Sequence, residues 1–248
     1  MGREVKQPGR SGISGSTLKL IAIITMLTDH VGAVIVERMI IRGVTFGGMN
    51  LKELYMLDQV LRSIGRIGFP IFCFLLVEGF IHTKDRVKYG LRLTLFAVLS
   101  EIPFNLAFTG RLFSTKYQNV FFTLLIGFLV MAVFGWLEEK CREKPMLSMI
   151  LMVIVMAAGM ALAAVLKTDY DYRGIISIVV LYIFRMYRPF QLLAGALTFM
   201  WEIPAPAAFL AAACYNGKRG LKLKYVFYVF YPLHLLLLYF IAVNLGIA

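Results

Sequence analysis

Long apolar runs alternate with short polar stretches along almost the whole chain. Spanning a hydrocarbon core of about 30 Å takes about 20 predominantly apolar residues in a helix. The pattern therefore predicts an all-α fold, a polytopic bundle of transmembrane helices. Six runs are long enough to span, namely Leu18–Ile41, Val60–Ile81, Tyr89–Phe108, Asn119–Leu137, Met146–Leu166 and Tyr225–Leu245.

Three further apolar runs are too short to span comfortably. Proline inside a helix removes a hydrogen bond and clashes with the preceding turn, so Pro204 and Pro206 argue against one straight helix through residues 190–215. We therefore predict eight or nine spans, with several helices short or broken. The short runs are Ile175–Tyr187, Phe190–Trp201 and Pro204–Tyr215.

The distribution of charge favours nine spans. The chain carries 26 Lys and Arg against 14 Asp and Glu, a net charge of +12, and cytoplasmic loops of membrane proteins are enriched in Lys and Arg. If Pro204 separates two short helices, the basic N-terminal lead, the basic stretches 82–92 and 218–224 and the mixed stretch 138–144 all fall on one side. This arrangement puts the N-terminus in the cytoplasm and the C-terminus outside, in a multi-pass protein of the bacterial cytoplasmic membrane.

The composition fits one membrane domain. The chain is 60% hydrophobic and only 16% charged, with a mean hydropathy of +0.77, whereas soluble domains average about 25% charged residues. We expect a flexible polar lead over residues 1–17 and a single integral membrane domain over residues 18–248, embedded in the lipid bilayer. The basic residues form no stripe, so no nucleic-acid partner is expected. The dispersed cysteines and histidines predict no metal site, and oligomeric state is not readable.

Several ionisable residues lie inside the apolar runs, where a charge costs about 2.5–3.5 kcal/mol and needs a partner or a water-filled cavity. At 1.5 Å per residue, four of them reach a similar depth, roughly 14–21 Å from the inner ends of their helices. The sequence therefore predicts a polar cavity at mid-membrane. The four residues are His30, Arg66, Glu101 and His234, with Asp29 and Asn105 beside two of them and Glu78 nearer the inner end.

These residues also have structural interpretations. Asp29 and Arg66 could form a buried ion pair, and a lone buried histidine is more often a hydrogen-bonded core residue. Two histidines in one band favour a functional role. Glu101 and Asn105 are one helical turn apart and share a face. That face could line the cavity or could be purely structural. Glu202 is a weaker candidate.

Six strings, taken together and in order, resemble the TraX family of conjugal-transfer membrane proteins. The resemblance runs from about Leu18 to the C-terminus. The strings are LKLIAIITMLTDHVGA from Leu18, IGRIGFPIFCFLLVEGFIHT from Ile64, SEIPFNLAF from Ser100, NVFFTLLIG from Asn119, YNGKRG from Tyr215 and FYVFYPLHLLLL from Phe227.

The resemblance implies an enzyme, a membrane-embedded acetyltransferase that takes its acetyl group from acetyl-CoA. The acceptor would be the N-terminal amine of a pilin subunit or another amine-bearing molecule. His30 is the expected general base, with Asp29 or Glu101 orienting it and the Asn105 face beside them. Arg66 would stabilise the oxyanion or neutralise Asp29, and His234 would close the cavity.

Coenzyme A would approach from the cytoplasm and meet basic loop residues. This set is expected to bind the co-substrate: Arg86, Lys88, Arg92, Lys218 and Arg219, with Glu78 at the inner end of the second helix. No nucleophile elbow is apparent, so direct transfer is expected. Two alternatives remain open: a proton-coupled transporter or channel with a buried Asp/His/Glu relay, and a non-catalytic assembly factor.

Overall fold

The structure, a computed structural model, describes residues 12–45, 47–221 and 224–248. Within these ranges the chain is helical, and pairing of extended backbone is limited to two isolated bridges. The all-α prediction is confirmed. The helices are α1 (Gly15–Val31), α2 (Glu37–Arg42), α3 (Leu51–Gly65), α4 (Gly68–His82), α5 (Arg86–Leu99), α6 (Glu101–Thr109), α7 (Val120–Lys140), α8 (Pro145–Leu166), α9 (Asp171–Ile183), α10 (Arg188–Thr198), α11 (Ala208–Ala213) and α12 (Lys224–Asn244).

The first crossing is longer than predicted. A π-helical turn, Gly32–Val36, joins α1 to α2 and makes one helix of 28 residues. Ser14 caps its start, since the Ser14 hydroxyl accepts a hydrogen bond from the Thr17 N–H at 3.2 Å. The last residues of the predicted lead, 15–17, therefore belong to the helix. Residues 1–11 of that lead lie outside the described residues.

The second crossing also begins earlier than predicted. A capping box between Asn50 and Glu53 starts α3, and α3 continues into α4 after a break at residues 66–67. The stretch Leu51–Leu57 is thus the first part of a 32-residue apolar unit. Pro70 lies in the first turn of α4, where its missing N–H is tolerated. The break brings the residues around Arg66 into the interior.

Six helical units in the described residues are long and apolar enough to cross a membrane, and they match the six long runs of the sequence. The chain is a multi-pass membrane protein. Helix α9, of 13 residues, runs back through the bundle from the opposite end of α8 and is shorter than these six units. The structure does not confirm eight or nine spans, because α10 and α11 form a re-entrant pair. Helix α10 follows α9, and the end of α11 returns to the start of α1. There the Ile13 N–H bonds Cys214 O at 2.9 Å.

The bundle has two ends, which we call the N-terminal face and the opposite face. The N-terminal face holds the start of α1 and the 214–219 segment, joined by a bond from the Gly15 N–H to Lys218 O at 2.8 Å. The opposite face holds the end of α2 and the connections α6–α7 and α8–α9, where the Gln118 N–H bonds Lys167 O at 3.0 Å. The long helices therefore run between these two faces.

Gly65 allows α3 to pass close to α1. A β-carbon added at Gly65 would overlap the Cβ and Oδ1 atoms of Asp29, which cannot move far from their own backbone. We predict that Gly65→Ala lowers the unfolding free energy by about 1–3 kcal/mol, the usual cost of overpacking. Thermal unfolding in detergent measures this. Gly135→Ala is the control, because its β-carbon would meet Arg86 and Tyr182 only at 3.5 Å; equal stability of the two variants would contradict the prediction.

Candidate functional site

A cavity of about 630 Å³ lies between α1, the α3–α4 break, α6 and α12, and it opens at the opposite face. Its inner wall is aromatic, and its mouth is formed by the α6–α7 and α8–α9 connections. Polar groups line it at mid-depth and at the mouth. They are Asp29, His30, Arg62, Arg66 and Glu202 inside, and Thr109, Arg111, Ser114, Lys116, Tyr117 and Asp169 towards the opening.

His30 and His234 meet at the inner end of this cavity, although 204 positions separate them in the chain. Nδ1 of His30 lies 2.6 Å from Nε2 of His234. The two rings differ in plane by only 3° and their centroids are 4.9 Å apart. This geometry is that of two imidazoles joined edge to edge by an N–H···N hydrogen bond.

The direction of this hydrogen bond follows from the second hydrogen bond that His234 makes. Nδ1 of His234 lies 2.8 Å from the carbonyl oxygen of Phe230, which can only accept. His234 therefore carries its proton on Nδ1, and its Nε2 accepts from Nδ1–H of His30. The lone pair of the neutral His30 ring is then on Nε2. A backbone carbonyl thus fixes the tautomer of His30 through His234.

Aromatic packing holds both rings in place. His30 and His234 are 8% and 4% exposed. The ring of Phe108 meets His30 edge-on at 5.5 Å between centroids, and Tyr231 meets both histidines at 6.0 and 5.7 Å. Both rings are therefore fixed by their surroundings before any ligand binds, as a positioned base requires.

Two ion pairs line the middle of the cavity, and they differ from the predicted pair. Asp29 bonds Arg62, with Oδ2 to Nη1 at 2.6 Å, and Arg66 bonds Glu202 from the re-entrant segment. The Asp29–Arg66 pair considered from the sequence is not formed, because Arg62 is the partner of Asp29 and Arg66 bonds Glu202 instead. Asp29 is also not the partner that orients His30.

Glu101 and Asn105 do not line the cavity. Glu101 accepts from the Asn119 amide at 2.6 Å, and Asn105 donates to Glu101 at 3.3 Å. Asn119 is the N-cap of α7 and also donates to Ala97 O at 2.8 Å. The expectation that Glu101 orients His30 is wrong for a physical reason: its carboxylate is occupied in joining the α5–α6 break to the start of α7.

The residues expected at coenzyme A lie at the N-terminal face, away from the cavity that holds His30. Glu78 is buried in an ion pair with Arg188 at 3.1 Å, and Lys88 pairs with Asp85 at 3.1 Å. The guanidinium of Arg92 lies over Tyr89, and the backbone carbonyls of Lys218 and Arg219 accept from the start of α1. Arg86 lines a separate cavity of about 480 Å³ at the N-terminal face.

Polar residues missed from the sequence include two that line the cavity and one that lies outside it. Arg62 pairs with Asp29, Asp169 lines the mouth, and the buried Asp58 lies against Gly32, with its Oδ1 unbonded within the described residues. The capping box at Asn50 and Glu53 was an available signal, since it starts the helix early enough to take Asp58 and Arg62 into the bundle. No local pattern pointed to Asp169.

The Arg66–Glu202 pair is expected to stabilise the re-entrant segment against the α3–α4 break. Arg66→Gln and Glu202→Gln should each lower stability, and the double variant should lose less than the sum, with a coupling of about 0.5–3 kcal/mol. A double-mutant cycle on thermal unfolding measures this. The exposed Lys88–Asp85 pair provides the comparison and should show a much smaller coupling; additive losses at Arg66 and Glu202 would contradict the prediction.

The fold and the site together define a class: a multi-pass helical membrane protein with a histidine pair at the inner end of a one-sided cavity. The chain belongs to the TraX family: the family model described as "TraX protein" matches residues 14–242. It is also 29% identical over 255 residues to the "Probable fimbrial assembly protein FimC, serogroup H1" of Dichelobacter nodosus, covering 91% of this chain and 94% of that protein. No solved structure matches. The family resemblance predicted from the six strings is confirmed.

Proposed function

We propose that the protein is an acetyltransferase that moves an acetyl group from acetyl-CoA to a free amine, with the N-terminus of a pilin or fimbrial subunit as the acceptor. The observation that carries the proposal is the bond between His30 and His234 at the inner end of the cavity. The printed name of the Dichelobacter nodosus relative, a fimbrial assembly protein, supports an acceptor in a surface appendage.

The tautomer of His30 suits the chemistry of amine acetylation. An N-terminal amine has a reference pKa of about 7.7–8.0, so it reaches the site largely protonated and must lose protons to become an amide nitrogen. The ammonium first loses one proton to solvent, which frees the nitrogen lone pair. As the new N–C bond forms and the thioester C–S bond breaks, Nε2 of His30 takes the second proton from the nitrogen, and coenzyme A leaves as its thiolate. His234 stabilises the resulting His30 cation, because its Nε2 already accepts from Nδ1–H.

Arg62 and Arg66 are the cationic groups nearest the middle of the cavity, where the carbonyl oxygen of the acetyl group would gain negative charge. Each is held by a carboxylate, Asp29 or Glu202, so both guanidiniums are fixed in position and keep further N–H groups for a ligand. We propose that Arg66 supplies the oxyanion contact, since its side chain is the more exposed of the two, 35% against 27%.

We propose that the donor and the acceptor approach the protein from different faces. Basic residues concentrate at the N-terminal face, which we place in the cytoplasm. The separate cavity there carries Arg86, Arg142 and Arg185 and fits phosphate groups by its chemistry, although Glu138 pairs with Arg185 at 2.7 Å. The cavity with His30 opens at the other face. We therefore propose that the acceptor enters from outside the cytoplasm and that the donor approaches from the cytoplasm.

An aromatic stack separates the N-terminal face from the histidine pair. The ring of Tyr228 lies parallel to Phe96 with centroids 4.8 Å apart, and Tyr231 meets Phe121 edge-on at 5.1 Å. Both tyrosines precede His234 on α12, on its cytoplasmic side in this orientation. Delivery of the acetyl group to His30 would require these rings to part, so the structure corresponds to a state that is closed towards the donor.

The proposal is tested with purified protein in detergent, radiolabelled acetyl-CoA and peptides that have free N-termini. Label should appear on the free-amine peptides and not on N-acetylated versions of them. Absence of label from every free-amine peptide, with a folded protein, would overturn the proposal.

A transporter is the second candidate, favoured by the broken α3–α4 helix and the re-entrant α10–α11 pair, which resemble the interrupted helices of transport sites. Proteoliposomes distinguish the two functions. Substrate-dependent proton flux without any acetyl donor would support transport, whereas acetyl transfer without coupled flux would support the enzyme.

A further inference from the structure

The connection between α8 and α9 carries an acidic residue into the mouth of the cavity. Asp169 is exposed and lines the cavity. It lies between the buried Thr168 and the half-buried Tyr170, whose ring stacks on Phe69 of the cavity wall. No pattern in the sequence pointed to a role for this residue. Its position is set by the packing of its neighbours.

The backbone of this connection is tightly held. Lys167 and Asp171, on either side of Asp169, both adopt left-handed conformations with φ of 54° and 47°, which residues with side chains rarely adopt. Gln118 N–H bonds Lys167 O at 3.0 Å, and Asp171 N–H bonds Thr168 O at 2.9 Å. Side-chain-bearing residues in such conformations persist where the surrounding structure holds them, often at functional sites.

Asp169 differs from the other carboxylates of the cavity in its charge balance. Asp29 and Glu202 are each neutralised by an arginine. In the ranges that the structure describes, Asp169 makes no ion pair and no hydrogen bond through its side chain. The cavity thus presents one carboxylate that has no side-chain partner among the described residues, at the point where a molecule from the opposite face would enter.

We propose that Asp169 recognises the acceptor by binding its positively charged amine at the mouth of the cavity, before the amine gives its proton to His30. The inference rests on the proposed function, because it names the group that selects a cationic amine for that reaction. Arg111 and Lys116 lie on the α6–α7 connection across the mouth. They repel the ammonium and so direct it to the α8–α9 side, where Asp169 stands.

The loss of one charge-assisted contact should weaken binding by roughly 10- to 100-fold. The test measures binding of tetraalanine amide, whose only charge is its N-terminal ammonium, to the full-length protein in detergent without any acetyl donor. Asp169→Asn keeps the shape of the side chain and removes its charge. Asp171→Asn is the matched control, since it removes the same charge two residues further along, at the first residue of α9, which does not line the cavity.

We expect Asp169→Asn to bind tetraalanine amide at least tenfold more weakly than the wild type, Asp171→Asn to bind it as the wild type does, and N-acetyltetraalanine amide to show no difference among the three proteins. Asp169→Glu, which keeps the charge, should stay within a few-fold of the wild type. If Asp169→Asn does not fold, added salt should weaken wild-type binding of the free-amine peptide but not of the acetylated one.

The outcomes separate this inference from the proposed function. Unchanged binding in Asp169→Asn, or an equal loss in Asp171→Asn, would overturn the role of Asp169 even if the wild type transfers acetyl groups. Selective loss in Asp169→Asn together with no acetyl transfer by the wild type would support amine recognition and overturn the acetyltransferase. Failure of the wild type to bind the free-amine peptide better than the acetylated one would overturn the inference.

Discussion

Replacing His30 by alanine is expected to lower the rate of acetyl transfer by about 10²–10⁴-fold, the range typical for loss of a general base. The reason is that Nε2 of His30 holds the lone pair at the inner end of the cavity, fixed there by His234. The measurement is kcat at saturating acetyl-CoA and acceptor peptide. Thermal unfolding of the same preparation shows whether the variant is folded.

His82→Ala is the control for the His30 variant. His82 bonds the Glu78 carbonyl at 2.9 Å at the end of α4 and does not line the cavity. Its removal should leave kcat within a few-fold of the wild type. A folded His30→Ala protein with wild-type kcat would exclude His30 as the base and leave the histidine pair a structural feature of the core.

The second large effect is expected at His234. His234→Ala removes the acceptor of the His30 Nδ1 proton, so His30 is free to place its proton on Nε2, the nitrogen that must accept from the amine. We expect kcat to fall by roughly 10²-fold or more, since the wrong tautomer disables a histidine base. His234→Gln should lose less, because its amide oxygen can accept from Nδ1–H.

The two histidines should act as a unit. The double variant of His30→Ala and His234→Ala is expected to be no slower than His30→Ala alone, since an orienting residue has no effect once the base is gone. Multiplicative losses in the double variant would show that His234 acts independently of His30. That result would contradict the orienting role derived from the Phe230–His234–His30 chain of hydrogen bonds.

The sequence was sufficient to predict the membrane-spanning helices and the depth of the buried polar groups. Six apolar runs correspond to six long helical units because in lipid the length of an apolar run directly determines whether a helix can span. Depth arithmetic placed His30 and His234 in one band, and the structure brings them into contact.

The partners of the buried groups could not be predicted in the same way. A helix rotates by 100° per residue, so equal depth does not say which side chains face each other. Glu101 shares the depth of His30 yet bonds Asn119, and Asp29, next to His30, faces Arg62. The direction of each side chain depends on how helices pack, which one sequence does not give.

Two other features depended on departures from regular spans. In the sequence, the re-entrant pair α10–α11 is visible only as short apolar runs. Its contacts in the structure show that it turns back and places Glu202 beside Arg66. Asp169 lies in a connection of four residues between α8 and α9, where a single acidic residue carries no pattern. Its place at the cavity mouth is a consequence of tertiary packing alone.

The hydrogen bond between the two imidazoles is the observation on which the account depends, and ¹⁵N NMR of the ring nitrogens tests it most directly. The chain has three histidines, so the His82→Ala spectrum leaves the signals of the pair. At neutral pH we expect protonated Nδ1 and unprotonated Nε2 in both His30 and His234, as this hydrogen bond requires. A His30 ring that carries its proton on Nε2 would contradict it.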